Sequence, residues 1–358
     1  MKAAIYSPYL DTLGGGEKYM MTIAEILSRK WMVDVLLDEH LLSFGQENLK
    51  ISLSQRFNLD LKSIKFIRAP VGKNSSFWER LFFLKKYDLL FYLTDGSIFY
   101  PSAKKNILHI QSPLVGQPAT SLWGKLKLQG WNLIIYNSKF TQDYSKSNWP
   151  ITSEVIYPPV ETDKIKPLKK KNYILSVGRF FGYLKNKKHQ LLIDTFRELY
   201  DEGKLNSWSL HLVGSASEGD KAYILELKKF AKGLPVNFYP NLAYKKLVKL
   251  YGQSGIYWHA MGFDEEDPVK MEHFGISVVE AMAGECIPVV VDKGGLKEIV
   301  DFAGNGYLWN NLTELKTFTR KLIDDQSLRQ KLGKHARKKS QDFSKDIFQK
   351  KIINVASE

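Results

Sequence analysis

Short runs of Val, Ile, Leu and aromatic residues recur along the chain, and between almost every pair lies a stretch with the period of an amphipathic helix. This alternation limits the fold more than any other feature, because strands and helices taken in turn close into parallel sheets covered by helices. "KAAIYSP" reads as a first strand and "EKYMMTIAEILSRK" as a helix with Met20, Ile23, Ala24 and Leu27 on one face. "WMVDVLLD", "IKFIRA", "YDLLFYLT", "KNILHIQS" and "WNLIIYNS" continue the strands. The stretch "SEVIYPPVETDKIKPLKKKNYILSVGR" then sets a double proline and a lysine run between two strands, the composition of an interdomain joint. A second series follows in "YILSVG", "KHQLLIDTFRELYDEG", "WSLHLVGS", "AYILELKKFAKGL", "VNFYPN", "LAYKKLVKLYGQS" and "GIYWHA". The expected fold is α/β, with two doubly wound domains spanning about residues 1–157 and 158–339.

Length and composition agree with this reading. A chain of 358 residues that is 44% hydrophobic suits two cores better than one. The start "MKAAIYSPYLDTLGGGE" lacks the plan of a secretory signal, and no apolar run is long enough to span a bilayer, so the expected location is the cytoplasm. The single cysteine, Cys286, has neither a partner nor a CxxC neighbour and reads as a small buried side chain. A formal net charge of +14 favours polyanions: phosphate-bearing small molecules, acidic lipid headgroups or nucleic acid. No RNP, zinc-finger or helix-turn-helix pattern supports nucleic acid.

In open parallel sheets ligands bind beyond the carboxyl ends of strands, so functional residues are sought just after them. "KMEHFGISVVEAMAGECIPVV" carries Glu272 and Glu280 eight residues apart. The spacing alone means little, since Glu17/Glu25, Glu39/Glu47 and Glu218/Glu226 share it. What sets the fourth pair apart is "HFGIS", a loop with a glycine ahead of a helix. The opening amides near Gly275, Ile276 and Ser277 are free to hold an anion there. A paired-carboxylate hydrolase is the rival reading, but carboxylates flanking a phosphate-binding helix start do not suit it. "LGGGEKY" fails the dinucleotide fingerprint, because Tyr19 stands where the third glycine belongs.

The segment "EHFGISVVEAM" followed by "IPVVVDKGGLKEIV" resembles the donor-site signature of retaining GT-B glycosyltransferases of family four, the group 1 glycosyl transferases. "LGGGEKY", "LHIQSP", "NSKFT", "VIYPPVE", "SVGRF" and "KNKKHQLLI" extend the resemblance over the whole chain. "GGGEKY" and "EHFGI" are similar in style to the lipid-linked-oligosaccharide mannosyltransferases. The resemblance implies a GT-B fold, two Rossmann-like domains facing each other across a cleft, with a last helix at about 340–358 returning to the first. It implies hexose transfer from a nucleotide sugar, GDP-mannose as first guess, to a glycan or lipid-linked acceptor with retention and without a metal or other cofactor.

Residue by residue, the resemblance assigns Arg179 and Lys187 to the leaving diphosphate, as a forked donor and a point charge. Lys185 and Lys188 compete for the second role. Glu272 is assigned to hydroxyls of the transferred sugar, Glu280 to the ribose, and His273, Phe274, Gly275, Ile276 and Ser277 to the phosphate-binding turn. Gly15 and Gly16 are the choices in the N-terminal loop, and Gly214 and Leu242 for backbone contact with the base. His109 is expected at the donor sugar, not as a general base. The acidic stretch "FDEEDPVK" reads as a solvated loop in preference to a divalent-metal site. "SSFWERLFFLKKYD" reads either as a core helix or as an amphipathic element touching an acidic membrane surface. A nucleotide-sugar epimerase, another GT-B enzyme and a catalytically dead basic binding protein are the alternatives.

Overall fold

The computed structural model describes residues 1–115, 122–205 and 207–357, and it divides into two compact units, Met1–Pro159 with Asp346–Glu358, and Val160–Lys345. The first unit holds a seven-stranded parallel sheet of β1 (Lys2–Tyr6), β2 (Met32–Leu37), β3 (Lys65–Arg68), β4 (Leu89–Leu93), β5 (Lys105–Ile110), β6 (Leu133–Tyr136) and β7 (Ser153–Val155). Its spatial order is β3-β2-β1-β4-β5-β6-β7. The central strand β4, "LLFYL", is buried at every position, as a strand covered on both faces must be.

Two apolar layers flank this sheet. One gathers Tyr19, Met20, Ile23 and Leu27 of the helix Gly15–Ser28 with Phe348, Ile352, Val355 and Ala356 of the last helix, Lys345–Ser357. That helix therefore belongs to the first unit's core although it follows the second unit in sequence. The opposite layer holds Leu84, Tyr87, Phe99, Leu128 and Trp131.

The second unit is a six-stranded parallel sheet of β8 (Lys171–Val177), β9 (Ser209–Gly214), β10 (Val236–Pro240), β11 (Ser254–His259), β12 (Ile287–Val291) and β13 (Tyr307–Trp309). The order is β10-β9-β8-β11-β12-β13. Strand order reverses between β1 and β4 in the first sheet and between β8 and β11 in the second, the two doubly wound layouts expected from the sequence. Cys286 is buried just ahead of β12, where burial pushes its thiol up to about 12. No helix among the described residues is long and apolar enough to cross a membrane.

Candidate donor site in the second unit

Where β8 and β11 run side by side, the connections leaving their carboxyl ends diverge, and several side chains converge at that point. Gly178 and Arg179 follow β8, Gly214 ends β9, His259 ends β11, and the loop Met271–Gly275 leads into the helix Ile276–Ala283. The strand ends are pressed together too tightly for larger residues. A Cβ on Gly214 would lie 1.9 Å from the carbonyl oxygen of Gly178, and one on Gly178 would meet the Lys187 side chain at 2.7 Å.

The loop carrying Glu272 is clamped from the next strand-end turn. The Gly295 amide donates to the Glu272 carbonyl at 2.8 Å, and Gly294, at φ 63°, leaves only 2.2 Å between that carbonyl oxygen and a Cβ. Gly275 precedes the helix at φ 116°, a conformation that glycine adopts without the steric cost other residues carry. Its carbonyl accepts from the amides of Val278 and Val279, while the amides of Ile276 and Ser277 meet no carbonyl among the described residues. They form the positive end of the helix. The Ser277 hydroxyl is fixed by the Tyr257 hydroxyl, which donates to it at 2.8 Å.

One oxygen of Glu272 collects two donors. Lys187 Nζ stands 2.6 Å from Oε2, and His259 Nε2 donates to the same atom at 3.0 Å. Burial by itself pushes this carboxyl upward, but the Lys187 charge and the His259 hydrogen bond outweigh it and hold the group well below the usual carboxylate range. His259 is itself held low, chiefly by burial, and so is neutral with its proton on Nε2. Oε1 of Glu272 accepts no bond among the described residues, so the carboxylate is ionised, oriented and open on one side.

The three competing lysines separate. Lys185 pairs with Glu226 at 3.0 Å and lies over the Tyr223 ring, Lys188 pairs with Glu265 at 2.7 Å, and Lys187 alone of the three reaches Glu272. Arg179 is exposed beyond β8 and makes no ion pair among the described residues. Glu280 is buried one turn into its helix and accepts from the Tyr251 hydroxyl at 2.8 Å. The two glutamates of the motif are thus gripped by different partners.

Of the remaining donor-side candidates, His273 Nε2 donates to the Val269 carbonyl at 3.1 Å. Phe274 is buried edge-on against Phe343, so its side chain anchors the loop. The Asn241 amide donates to the Gly214 carbonyl at 2.8 Å, which brings half-buried Leu242 to the end of β9. In the acidic stretch, Glu265 is taken by Lys188 and Asp267 caps the short turn Pro268–Lys270. No group of three or more His, Cys, Asp or Glu among the described residues is arranged to hold a metal ion.

The first unit holds the other candidates. Gly15 and Gly16 open the helix after β1, and a Cβ on Gly16 would run into the Gln111 side chain at 2.0 Å. His109, on β5, is buried, stacked on Tyr19 with centroids 3.9 Å apart, and donates from Nδ1 to the Ile135 carbonyl at 3.0 Å. Burial pushes it down to about 3, so it is a neutral ring whose Nε2 has no partner among the described residues. Tyr19 and Gln111 thereby join the Gly16 turn to the His109 strand within this unit.

The description "Glycosyl transferases group 1" is that of a family model matching residues 160–339, half of the chain. The chain belongs to this family. Among related sequences, the Dictyostelium discoideum GDP-Man:Man(3)GlcNAc(2)-PP-Dol alpha-1,2-mannosyltransferase is 26% identical over 243 residues, 62% of this chain and 46% of that protein. The human Alpha-1,3/1,6-mannosyltransferase ALG2 is 26% identical over 253 residues, 63% of this chain and 58% of that protein. The chain spans about half the length of the curated relatives it matches. Two solved structures share the fold at nearly full length. A glycosyltransferase from Rickettsia africae has a TM-score of 0.76 at 17% identity, covering 99% of this chain and 97% of its own. Anabaena HepE in complex with UDP and glucose has a TM-score of 0.69 at 18% identity, covering 100% and 99%. The α/β GT-B architecture expected from the sequence is that of this group 1 glycosyl transferase, in the topology of each unit.

His259 and Tyr251 were not among the residues singled out by sequence reasoning. A histidine closing the strand "GIYWHA" beside the switch point is the signal for His259. No local pattern marks Tyr251, because its partner lies 29 residues away.

Proposed function

We propose that the protein is a retaining hexosyltransferase that moves mannose from GDP-mannose to a lipid-linked glycan. The observation that carries this reading is Glu272: an ionised carboxylate with Lys187 and His259 on one oxygen, the other open, three residues ahead of a glycine-led helix start. The relatives' names supply the sugar, the nucleotide and the lipid-linked acceptor class.

In this scheme the bond between the sugar's anomeric carbon and the diphosphate oxygen breaks while the acceptor hydroxyl bonds to that carbon on the same face. The departing phosphate oxygen takes the acceptor's proton, so no protein base is needed. Negative charge grows on the diphosphate, and fixed donors placed before the reaction stabilise it most. Arg179, Lys187 and the amides of Ile276 and Ser277 supply them. Glu272 accepts from sugar hydroxyls and faces the cationic character that develops at the ring. Glu280 accepts from the ribose, and backbone groups near Gly214 and Leu242 meet the base. Gly15, Gly16 and His109 act in the same reaction from the first unit. No step calls for a metal ion.

Thermal unfolding with GDP, UDP and ADP in parallel tests the nucleotide, since a ligand stabilises only in proportion to its occupancy of the native state. GDP is expected to raise the midpoint most; a larger shift with UDP overturns the choice of GDP-mannose. Transfer with a panel of nucleotide sugars tests the chemistry. Unchanged transfer after Glu272→Gln overturns the site.

A further inference from the structure

Seven large apolar side chains of the first unit are exposed on the layer that covers one face of its sheet. The helix Phe77–Leu84 leaves Trp78 and Phe82 64% and 70% exposed, and the helix Leu122–Gln129 leaves Leu122 and Trp123 73% and 74% exposed. Phe77, Leu126 and Tyr100 are exposed as well. The two helices repeat one pattern, "FWERL" and "LWGKL", in which the apolar positions i, i+1 and i+4 form a single stripe on a helix, extended by Phe82 in the first. Their buried faces lie in the same apolar layer, through Leu84 and Leu128.

The segment Phe99–Ser102 ties them together. The Ser102 hydroxyl donates to the Leu81 carbonyl at 2.6 Å, the Arg80 guanidinium lies over the Phe99 ring, and the Trp131 indole donates to the Phe99 carbonyl at 3.1 Å. Exposed Tyr100 therefore sits on the stretch joining the two stripes. The sequence suggested either a core helix or an amphipathic element for the first of these; the structure packs it on the core through Leu84 and half-buried Phe83 and adds a second element beside it.

We infer that this two-helix face docks the protein on an anionic lipid bilayer. Charge decides between a bilayer and another protein as occupant. Lys85, Lys86, Lys125 and Lys127 are all exposed beside the stripes and make no ion pair among the described residues, against the single unpaired acid Glu79. Paired tryptophans with lysines at their flanks are suited to the headgroup boundary, where rings sit between acyl chain and water and ammonium groups reach phosphates. An apolar surface of this extent is uncommon on a monomer with nothing to cover it. The proposal shares the lipid-linked acceptor with the proposed reaction but rests on no residue of the donor site, so the two stand or fall by separate measurements.

The test is co-sedimentation of the full chain with vesicles of phosphatidylcholine alone and with about 30% phosphatidylglycerol, at low and high salt. Binding is expected to be at least about tenfold stronger to the anionic vesicles and to weaken with salt. Trp78→Ser with Trp123→Ser should reduce it about tenfold or more, and the four lysines changed to glutamine should remove the preference for anionic lipid. Equal binding to both vesicles, no binding, or retention by the tryptophan variant overturns the proposal. So does a wild-type dimer in sedimentation velocity that the tryptophan variant dissolves, since a second copy is then the occupant. Thermal midpoints confirm folding of the variants, and GDP stabilisation measured on them reports the donor site independently.

Discussion

Two glutamates, Glu17 in the first unit and Glu272 in the second, stand beside glycine-led helix starts at strand ends, and their surroundings give them opposite characters. In the first unit Glu17 accepts from the Gly14 amide at 2.8 Å and the Thr12 hydroxyl at 2.9 Å, closing its own helix terminus. No cation lies within ion-pair distance of it among the described residues, and burial pushes its carboxyl up. In the second unit Glu272 is half-buried, its side chain 19% exposed, and it receives Lys187 and His259 from other strand ends, so its carboxyl is held low. Burial alone raises a carboxyl, whereas a cation brought from elsewhere in the fold holds it ionised well below its usual range.

The largest effect that would sharpen this contrast is on activity. Glu272→Gln keeps the shape and removes the charge, and transfer should fall about 100- to 1000-fold, the scale of losing one preorganised electrostatic group. Glu17→Gln should leave turnover within a few-fold. Similar losses in both would break the comparison. Lys187→Met should likewise cost about 100-fold, and Lys185→Met or Lys188→Met about tenfold or less, because only Lys187 reaches Glu272. Steady-state rates with a saturating donor distinguish the three.

The glycines should differ in stability. Gly214→Ala forces a methyl against a backbone carbonyl, which cannot yield without moving β8, and should cost roughly 3 kcal/mol or more. Gly16→Ala meets only the flexible end of Gln111 and should cost about 1 kcal/mol or less. Urea midpoints measure both, and a reversed ranking would show that the first unit has the less yielding strand end.

Acid should also separate the units. Burial pushes His109 of the first unit down to about 3, and His189 and His211 of the second down to about 4 each. The unfolded chain therefore binds protons below about pH 6.5 that the native state refuses, and stability is lost as pH falls from there, at about 1.4 kcal/mol per pH unit for each histidine. Glu272 acts later: its stabilisation is present above its unfolded value and is lost only as pH falls below about 4.5 toward its folded value. Hydrogen exchange at pH 7 and pH 5 should show the second unit losing more protection. Smallest of all, Glu17→Gln should leave the thermal midpoint unchanged or slightly raised at neutral pH, since it removes a charge whose burial two hydrogen bonds offset only in part.

Much of the fold was legible because both sheets are parallel and buried, so strands such as "LLFYL" and "IPVVV" stand out as apolar runs between helical periods. The order of strands was legible only as a class. At the site, "EHFGIS" announced a glycine-led helix start, and Gly275 and Ile276 occupy it. The second aromatic helix was missed, since "LWGKLKLQ" is too short and too polar to separate from a connecting loop. His259 was missed for a different reason: nothing local shows that a strand-end histidine will meet a carboxylate 13 residues on.

Sequence by itself determined the alternation of strand and helix, the division into two doubly wound units, and the placement of Glu272 and Glu280 around a helix start, because local period and turn chemistry are written in neighbouring residues. Only the tertiary structure decided which of three lysines reaches Glu272, that His259 shares its oxygen, that Tyr251 holds Glu280, and that two short aromatic helices share one face. Those pairings join residues far apart in sequence, and their distances are set by the twist and order of the sheets that carry them.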